Sequence, residues 1–454
     1  AAAIEADPAA VAPRCTLAEI ELESGHHDAA VDALQSAAAI APDRTDIRRR
    51  LVTALALAGR QPDALRLFAL GRLLGDDWTP ATHPAVALFA QGRLDEARAW
   101  LERAVAADSS DGASTHLLGV ARQASGRVDE AIATLERAAA LDPTSATLAN
   151  RLGFALDTAA RLPEAAQCYR RAVDLDPANP RLLSDWLTLL HFLPGVTRAE
   201  QQAGYELWNT RHGRPATNAL PPLETPDDPE RVLRIGYVGA DFFAHVSHHF
   251  MEPVLEHHDR QRFEVFCYDG SPIDDAVTAR MRRLPLTWRS AWNLSDDALA
   301  AQIRHDRIDI LVDLNGHLRG GRLGVFAGRA APVQVTWLGY PNTTGITTMD
   351  GWISDRFIAA DLADQHHTET LCPLDGFYMP FRPGPLPSIT TDAPAARHGH
   401  VTFGSFNLGQ KLNDAVFDVW ARILERVPGA RLVLFAVPDA AHAGVRQALE
   451  SRGV

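Results

Sequence analysis

A short phrase returns at a fixed interval through the first half of this 454-residue chain. It reads GHHDAA at Gly25, GRQPDA at Gly59, GRLDEA at Gly92, GRVDEA at Gly126 and ARLPEA at Ala160, in steps of 34, 33, 34 and 34 residues. Such a period constrains a fold strongly, because one unit cannot bury its apolar face alone and must stack on its neighbours. Each phrase opens an amphipathic run such as AIATLERAAALDP, with apolar residues at helical spacing. Pro143 and Pro177 close two of these runs at the same step. The preceding segments, STHLLGVARQAS and TLANRLGFALDTAA, read as partner helices with Gly119 and Gly153 in register. Small residues there allow close helix approach, and a glycine at the turn tolerates positive φ.

A helix–turn–helix period of 34 residues resembles the tetratricopeptide repeat, here over about residues 9–178. Arrays of this kind form a concave groove that binds peptides or partner proteins. PRLLSDWLTLLHF continues the helical pattern, and helices are expected to about Arg211. The following RHGRPATNALPPLETPDDPE is rich in proline and acid and reads as a linker. The expected layout is a repeat superhelix over 1–212 and a linker over 213–231.

After Glu230 the period changes. Strands are expected at VLRIGYVG (232–239), RFEVFCY (262–268), IDILVDL (308–314), PVQVTWL (332–338), VTFGSF (401–406) and RLVLFA (431–436). Helical runs such as LSDDALAAQIRHD and AVFDVWARILERV separate several of them. Buried apolar strands alternating with helices predict a parallel, doubly wound α/β sheet. One module is expected over 232–386, a linker over 387–399, and the start of a second module over 400–454. The second carries only two strands and two helices, short of the usual βαβαβ series, and reads as incomplete.

Composition narrows the function classes. There are 57 Asp+Glu against 44 Lys+Arg, a net charge of −13. That balance argues against broad nucleic-acid coating, which needs a basic face. Cys15, Cys168, Cys267 and Cys372 are far apart and form no CxxC, so a disulfide framework or a cysteine zinc site is not expected and a reducing cytosolic setting fits. No apolar run approaches ~18 residues, so no membrane span is expected. The opening AAAIEADPAAVAPRC does not read as a signal peptide. Of the cations only Lys411 is a lysine; all others are arginine.

The chemistry-bearing candidates sit at strand ends. The first βα turn, GYVGADFFAHVSHH, lacks GxGxxG, and no GxxxxGK[ST] occurs. Asp174-Leu175-Asp176 matches a DxD pattern but lies at a repeat boundary and is assigned to turn and capping duty. His245, His248 and His249 could share a helix face as zinc ligands, yet no carboxylate or thiolate stands at a diagnostic spacing. Ordinary helix-start histidines are the simpler reading, with His245 the candidate general base or polar sugar contact. Asp241 faces the same edge, and His317 in DLNGHLRGGR follows another strand end. WLGYPNTTG offers Gly339 and Gly345 for close backbone approach and Thr343 and Thr344 as hydroxyl donors. Lys411, in FGSFNLGQKLND, follows a strand and precedes a helix that Asn413 or Asp414 would cap. An ammonium beside a helix N-terminus suits a diphosphate leaving group.

Together, GYVGADFFAHVSHHFM, FEVFCY, ILVDLNGH, APVQVTWLGYPNTTG, DGWISD and FGSFNLGQKLND resemble the O-GlcNAc transferase family, specifically a short bacterial homologue. The resemblance implies a GT-B arrangement of two Rossmann-like halves. It also implies an inverting, metal-independent transfer of N-acetylglucosamine from UDP-GlcNAc, as substrate rather than cofactor, to Ser or Thr hydroxyls of proteins. Carried onto this sequence, the family's active-site histidine is His245, as base or acceptor-side contact, and its diphosphate-binding lysine is Lys411. Asn407 and Gln410 are implied as nucleotide contacts, and Asp241, His317, Gly339, Tyr340, Pro341 and Thr344 as sugar or acceptor contacts. A match near His305 is weak. Leu408 stands where animal members have a glutamine, and Leu117 and Arg151 stand where the repeat groove carries asparagines. The large insert of animal members is replaced by the short linker, and the family's later nucleotide segment would lie beyond Val454. The implied partners are UDP-GlcNAc and an acceptor peptide or protein in or near the repeat groove, with no nucleic acid, membrane or metal, in the cytoplasm. Two alternatives remain: a different donor such as GDP-fucose, or a non-catalytic repeat scaffold with a degenerate sugar-nucleotide module.

Overall fold

A computed structural model describes residues 4, 7, 10–60, 63–64, 67–68, 84–90, 93–213, 228, 230–362, 365–384, 386, 388, 391–435 and 439–454. The chain forms two compact units. One comprises Ala1–Cys168, Phe406–Ala421 and Leu434–Val454; the other comprises Tyr169–Ser405 and Arg422–Val433.

The first unit is built on helices α1 (Ala12–Glu23), α2 (His27–Ile40), α3 (Thr45–Leu57), α4 (Pro84–Ala90), α5 (Leu94–Ala107), α6 (Gly112–Ala124), α7 (Val128–Leu141) and α8 (Ala146–Thr158), with the start of α9 (Leu162–Leu175). The repeated phrase explains the pairing. Its last alanine recurs as Ala30, Ala64, Ala97, Ala131 and Ala165, and each is 0% exposed. Its arginine and glutamate pair across one turn at the start of α5, α7 and α9, as Arg93–Glu96, Arg127–Glu130 and Arg161–Glu164. Such i,i+3 pairs stabilise a helix by only about 0.2–0.5 kcal/mol each, so alanine burial sets the packing.

The residue that opens each phrase makes the turn. Gly25, Gly59 and Gly126 have φ of 78°, 75° and 75°, and Ala160 keeps the same left-handed geometry at φ 59°. Gly92 lies outside the described residues. A Cβ in that region costs about 1–2 kcal/mol. Ala160→Gly is therefore expected to stabilise the fold by about 0.5–1 kcal/mol after glycine's extra chain entropy is subtracted. A higher denaturant midpoint with an unchanged slope is the expected reading.

The second unit holds the rest of α9, the pair α10 (Pro180–Leu190) and α11 (Arg198–His212), and a sheet. Thr197 closes a capping box with Glu200 at the start of α11. The expected linker at 213–231 lies almost wholly outside the described residues. The strands are β1 (Leu233–Gly239), β2 (Phe263–Asp269), β3 (Thr287–Ser290), β4 (Ile310–Asp313), β5 (Val333–Thr336), β6 (Gly351–Asp355) and β7 (Thr370–Leu374). Their order is β3-β2-β1-β4-β5-β6-β7, and every pairing is parallel. Between them run α12 (His248–His257), α13 (Ala276–Met281), α14 (Asp296–His305), α15 (Leu323–Ala327) and α16 (Arg356–Leu362). Ile235, Tyr237, Met251, Leu255, Val265, Val312 and Trp337 share one buried core against the sheet. The doubly wound parallel sheet is as expected. β3, β6 and β7 carry too short or too mixed a pattern to read as strands in advance.

Further along lie the short helix α17 (Pro394–His398), strands β8 (Thr402–Ser405) and β9 (Arg431–Leu434) in a two-stranded sheet, and helices α18 (Asp414–Arg426) and α19 (Asp439–Glu450). Helix α17 falls inside the stretch expected as a linker. No described helix is long and apolar enough to cross a membrane.

Candidate active site at the sheet switch point

The chain leaves β1 toward β2 and β3, then returns to place β4 on the other side of β1. Neighbouring strands whose connections depart in opposite directions leave a crevice beyond their carboxyl ends, where α/β sheets bind ligands. The loops after β1, β4 and β5 line it.

Asn315 ties the first two loops together. Its Nδ2 donates to Asp241 at 2.7 Å, and its Oδ1 accepts from the Ala240 N–H at 2.9 Å. Asp313 holds Asn315 in turn, accepting from the N–H groups of Asn315 and Gly316 and from Thr336 Oγ1 at 2.9 Å. Burial pushes the Asp313 carboxyl up to about 6. In the sequence the DLNG stretch carries no signal that marks Asp313 or Asn315.

His245 stands exposed in the loop from β1 to α12, with Nδ1 2.9 Å from Ser247 Oγ. The loop is pinned by Asp275, the N-cap of α13, which accepts from the Ala244 N–H at 2.8 Å. The neighbouring histidines have other partners. His249 Nδ1 donates to the Arg382 carbonyl at 2.9 Å, and His248 lies 3.6 Å from Glu252. Among the described residues no three His, Cys, Asp or Glu side chains are grouped to hold a metal ion.

In the β5 loop, Gly339 packs against the β4 loop so closely that a Cβ would lie 2.2 Å from the Leu314 carbonyl oxygen. Pro341 is exposed. The loop's other candidates are buried, with their polar atoms held by protein. The Tyr340 hydroxyl meets His191 Nε2 at 2.9 Å and the Tyr205 hydroxyl at 2.7 Å. His317, 1% exposed, has Nδ1 at 2.9 Å from Ser184 Oγ and Nε2 at 2.8 Å from the Thr344 carbonyl. The Thr344 N–H and the Thr343 hydroxyl both donate to Glu369, at 2.7 and 2.6 Å. The helical pair α10–α11 thus anchors the β4 and β5 loops. Ser184, His191, Tyr205 and Glu369 had no signal in the sequence, because the contacts span more than a hundred residues of chain or lie beyond any motif.

Burial pushes the His317 imidazole down to about 4. The unfolded chain, with its ordinary value near 6.5, takes up a proton first as pH falls. His317 therefore contributes stability that is present above about pH 6.5 and lost as pH falls through about 4. Asp313, raised to about 6, acts in the opposite sense, its contribution being lost as pH rises through about 6. In denaturation between pH 7 and 4, His317→Gln is expected to lower stability at pH 7 and to lose less of it on acidification than the parent. An identical pH slope in both proteins would contradict this.

Lys411 lies in a 3-10 turn, Gly409–Lys411, between β8 and α18. It is exposed, and Nζ is 3.4 Å from Asn407 Oδ1. Asn413 caps α18, its Oδ1 accepting the Val416 N–H at 3.1 Å. Gln410 donates to Asp157 of α8 at 3.2 Å, so its amide is engaged with the repeat helix. Leu408 is exposed.

A helical-repeat array in one chain with a doubly wound sheet open at its switch point defines a repeat-bearing α/β ligand-binding protein. Residues 220–380 match the family model for glycosyl transferase family 41, residues 85–112 and 116–180 that for the tetratricopeptide repeat, and residues 5–78 that for the bacterial transcriptional activator domain. The structure is similar to that of a mutant O-GlcNAc transferase from Thermobaculum terrenum. Identity is 34% and the TM-score 0.75, over 82% of this chain and 71% of that one. A probable UDP-N-acetylglucosamine–peptide N-acetylglucosaminyltransferase SPINDLY from Solanum lycopersicum is 42% identical over 214 residues, 46% of this chain and 23% of that protein. The corresponding probable transferase SEC from Arabidopsis thaliana is 32% identical over 231 residues, 49% of this chain and 24% of that protein. The matched segment spans about a quarter of these curated relatives. The chain belongs to the O-GlcNAc transferase family.

Proposed function

We propose that this chain is an inverting, metal-independent glycosyltransferase that moves N-acetylglucosamine from UDP-GlcNAc to Ser or Thr hydroxyls of proteins. The observation that carries the reading is His245, exposed on a pinned loop at the β1–β4 switch point of a family member. The acceptor hydroxyl attacks the anomeric carbon from the face opposite UDP. Its O–C bond forms as the bond to the phosphate oxygen breaks, and its proton passes to a base. His245 is assigned that role or an acceptor-side contact, with Asp241, four residues earlier in the same loop, held by Asn315.

The departing UDP gains negative charge. Lys411 meets it with an ammonium whose one side-chain partner among the described residues is the neutral Asn407, next to the capped N-terminus of α18. Positive charge supplied this way does the work that a metal does in other sugar-nucleotide enzymes. Asn407 and Gln410 are proposed as nucleotide neighbours, and Gly339, Tyr340, Pro341, Thr344 and His317 as the wall and frame of the sugar and acceptor side. The repeat array is proposed to recruit the acceptor. Cys15, Cys267 and Cys372 are free thiols, which fits a reducing cytoplasmic setting. Calorimetry tests the donor. Saturable binding of UDP in preference to GDP is expected; preference for GDP would point to another sugar nucleotide, and binding of neither would favour a scaffold.

A further inference from the structure

A second cavity lies away from the β1–β4 crevice. It occupies about 210 Å³ between α11, the loop after β5 and the segment leading into β7. At about 30 Å³ per water it has room for about seven waters, the scale of a small metabolite. Its α11 wall presents residues 198, 201, 202, 205 and 206, spaced as one helical stripe. A stripe that faces another element is ordinarily apolar, yet here its one aromatic residue, Tyr205, is buried and the other four are polar.

Two polar side chains of that wall, a guanidinium and an amide, face the cavity unpaired. Arg198 and Gln201 have no side-chain partner among the described residues. Asn342 accepts from the Thr343 N–H through its Oδ1 at 2.8 Å, which leaves its NH2 group undirected. His366 closes the opposite wall. The one carboxylate among the described lining residues, Glu206, already accepts from Gln202 at 2.8 Å and lies two helical turns, about 12 Å along the axis, from Arg198. Donors therefore outnumber acceptors at the Arg198 end. A guanidinium flanked by amide N–H groups selects a carboxylate or phosphate, because charge-assisted, forked hydrogen bonds to such oxygens are the strong ones.

We infer that this cavity is a binding site for a small organic anion, with its carboxylate or phosphate on Arg198. The site does not depend on the donor chemistry proposed above. Tyr205 also donates or accepts at Tyr340 in the β5 loop, so an occupant would touch a residue that frames the crevice.

Calorimetry on the whole protein with three ligands of one body tests it: glucose 6-phosphate, glucuronate and glucose. Saturable binding of at least one anion, tighter than glucose by about tenfold or more, is expected. Which anion binds tells phosphate from carboxylate. Arg198→Ala, an exposed position, should weaken binding by about tenfold or more, and Arg198→Lys by less. No saturable binding of either anion, equal binding of glucose, or unchanged binding in Arg198→Ala overturns the inference. So does loss of binding in Lys411→Ala, which would place the anion there instead.

Discussion

Lys411→Ala should lower turnover by about 10²–10³-fold, equivalent to about 3–4 kcal/mol, on the analogy of deleting one preorganised donor to a developing oxyanion. The effect is expected in kcat as much as in UDP affinity, because the ammonium gains most when the bond to the phosphate breaks. Stability should change little, since the side chain is exposed and its contact is a 3.4 Å approach to Asn407. The sequence provides an unusual control. Lys411 is the only lysine in the chain, so an amine-reactive label reads this side chain and the N-terminus alone. UDP should protect Lys411 from labelling and leave the N-terminal reaction rate unchanged. Equal labelling with and without saturating UDP would remove Lys411 from the diphosphate site.

The second large effect is expected at His245. Removing a positioned general base typically costs about 10²–10⁴-fold. His245→Ala should lose turnover on that scale while UDP affinity stays within about twofold, because the imidazole lies on the acceptor side of the proposed chemistry. Its hydrogen bond to Ser247 is local and its ring is exposed, so the folded state should survive the change. Unchanged turnover would remove His245 from the chemistry and shift attention to Asp241, which Asn315 holds at the same crevice edge.

These two residues were legible in the sequence because each sits beside a strong local signal. His245 follows a continuous apolar strand, and Lys411 stands out against a chain that otherwise uses arginine. The repeat was more legible still: a fully buried alanine recurs every 33 or 34 positions, and positive φ opens the phrase at Gly25, Gly59, Gly126 and Ala160. Ala160 shows the limit of that reading, since the register predicted a left-handed turn that the residue type disfavours.

What stayed hidden was long-range. Tyr340, His317 and Thr344 lie in strand-end loops, as ligand contacts would, yet their polar atoms meet Tyr205, Ser184 and Glu369. No spacing rule connects Ser184 to His317 across 133 positions. β3 has no sequence signal because TWRS, four residues with three charged or hydroxyl side chains, has no apolar alternation long enough to see. β7 was missed because TLCPL is mostly exposed at the sheet edge.

The central claim is transfer of a sugar to protein hydroxyls. It is tested most directly by incubating the protein with UDP-GlcNAc and a Ser/Thr-containing peptide, without added metal and with chelator present, and reading the peptide by mass spectrometry. The account predicts a peptide carrying one N-acetylhexosamine on a hydroxyl, with the yield reduced by about 10²-fold or more in Lys411→Ala and in His245→Ala. An unmodified peptide from a folded protein that also fails to bind UDP would contradict it.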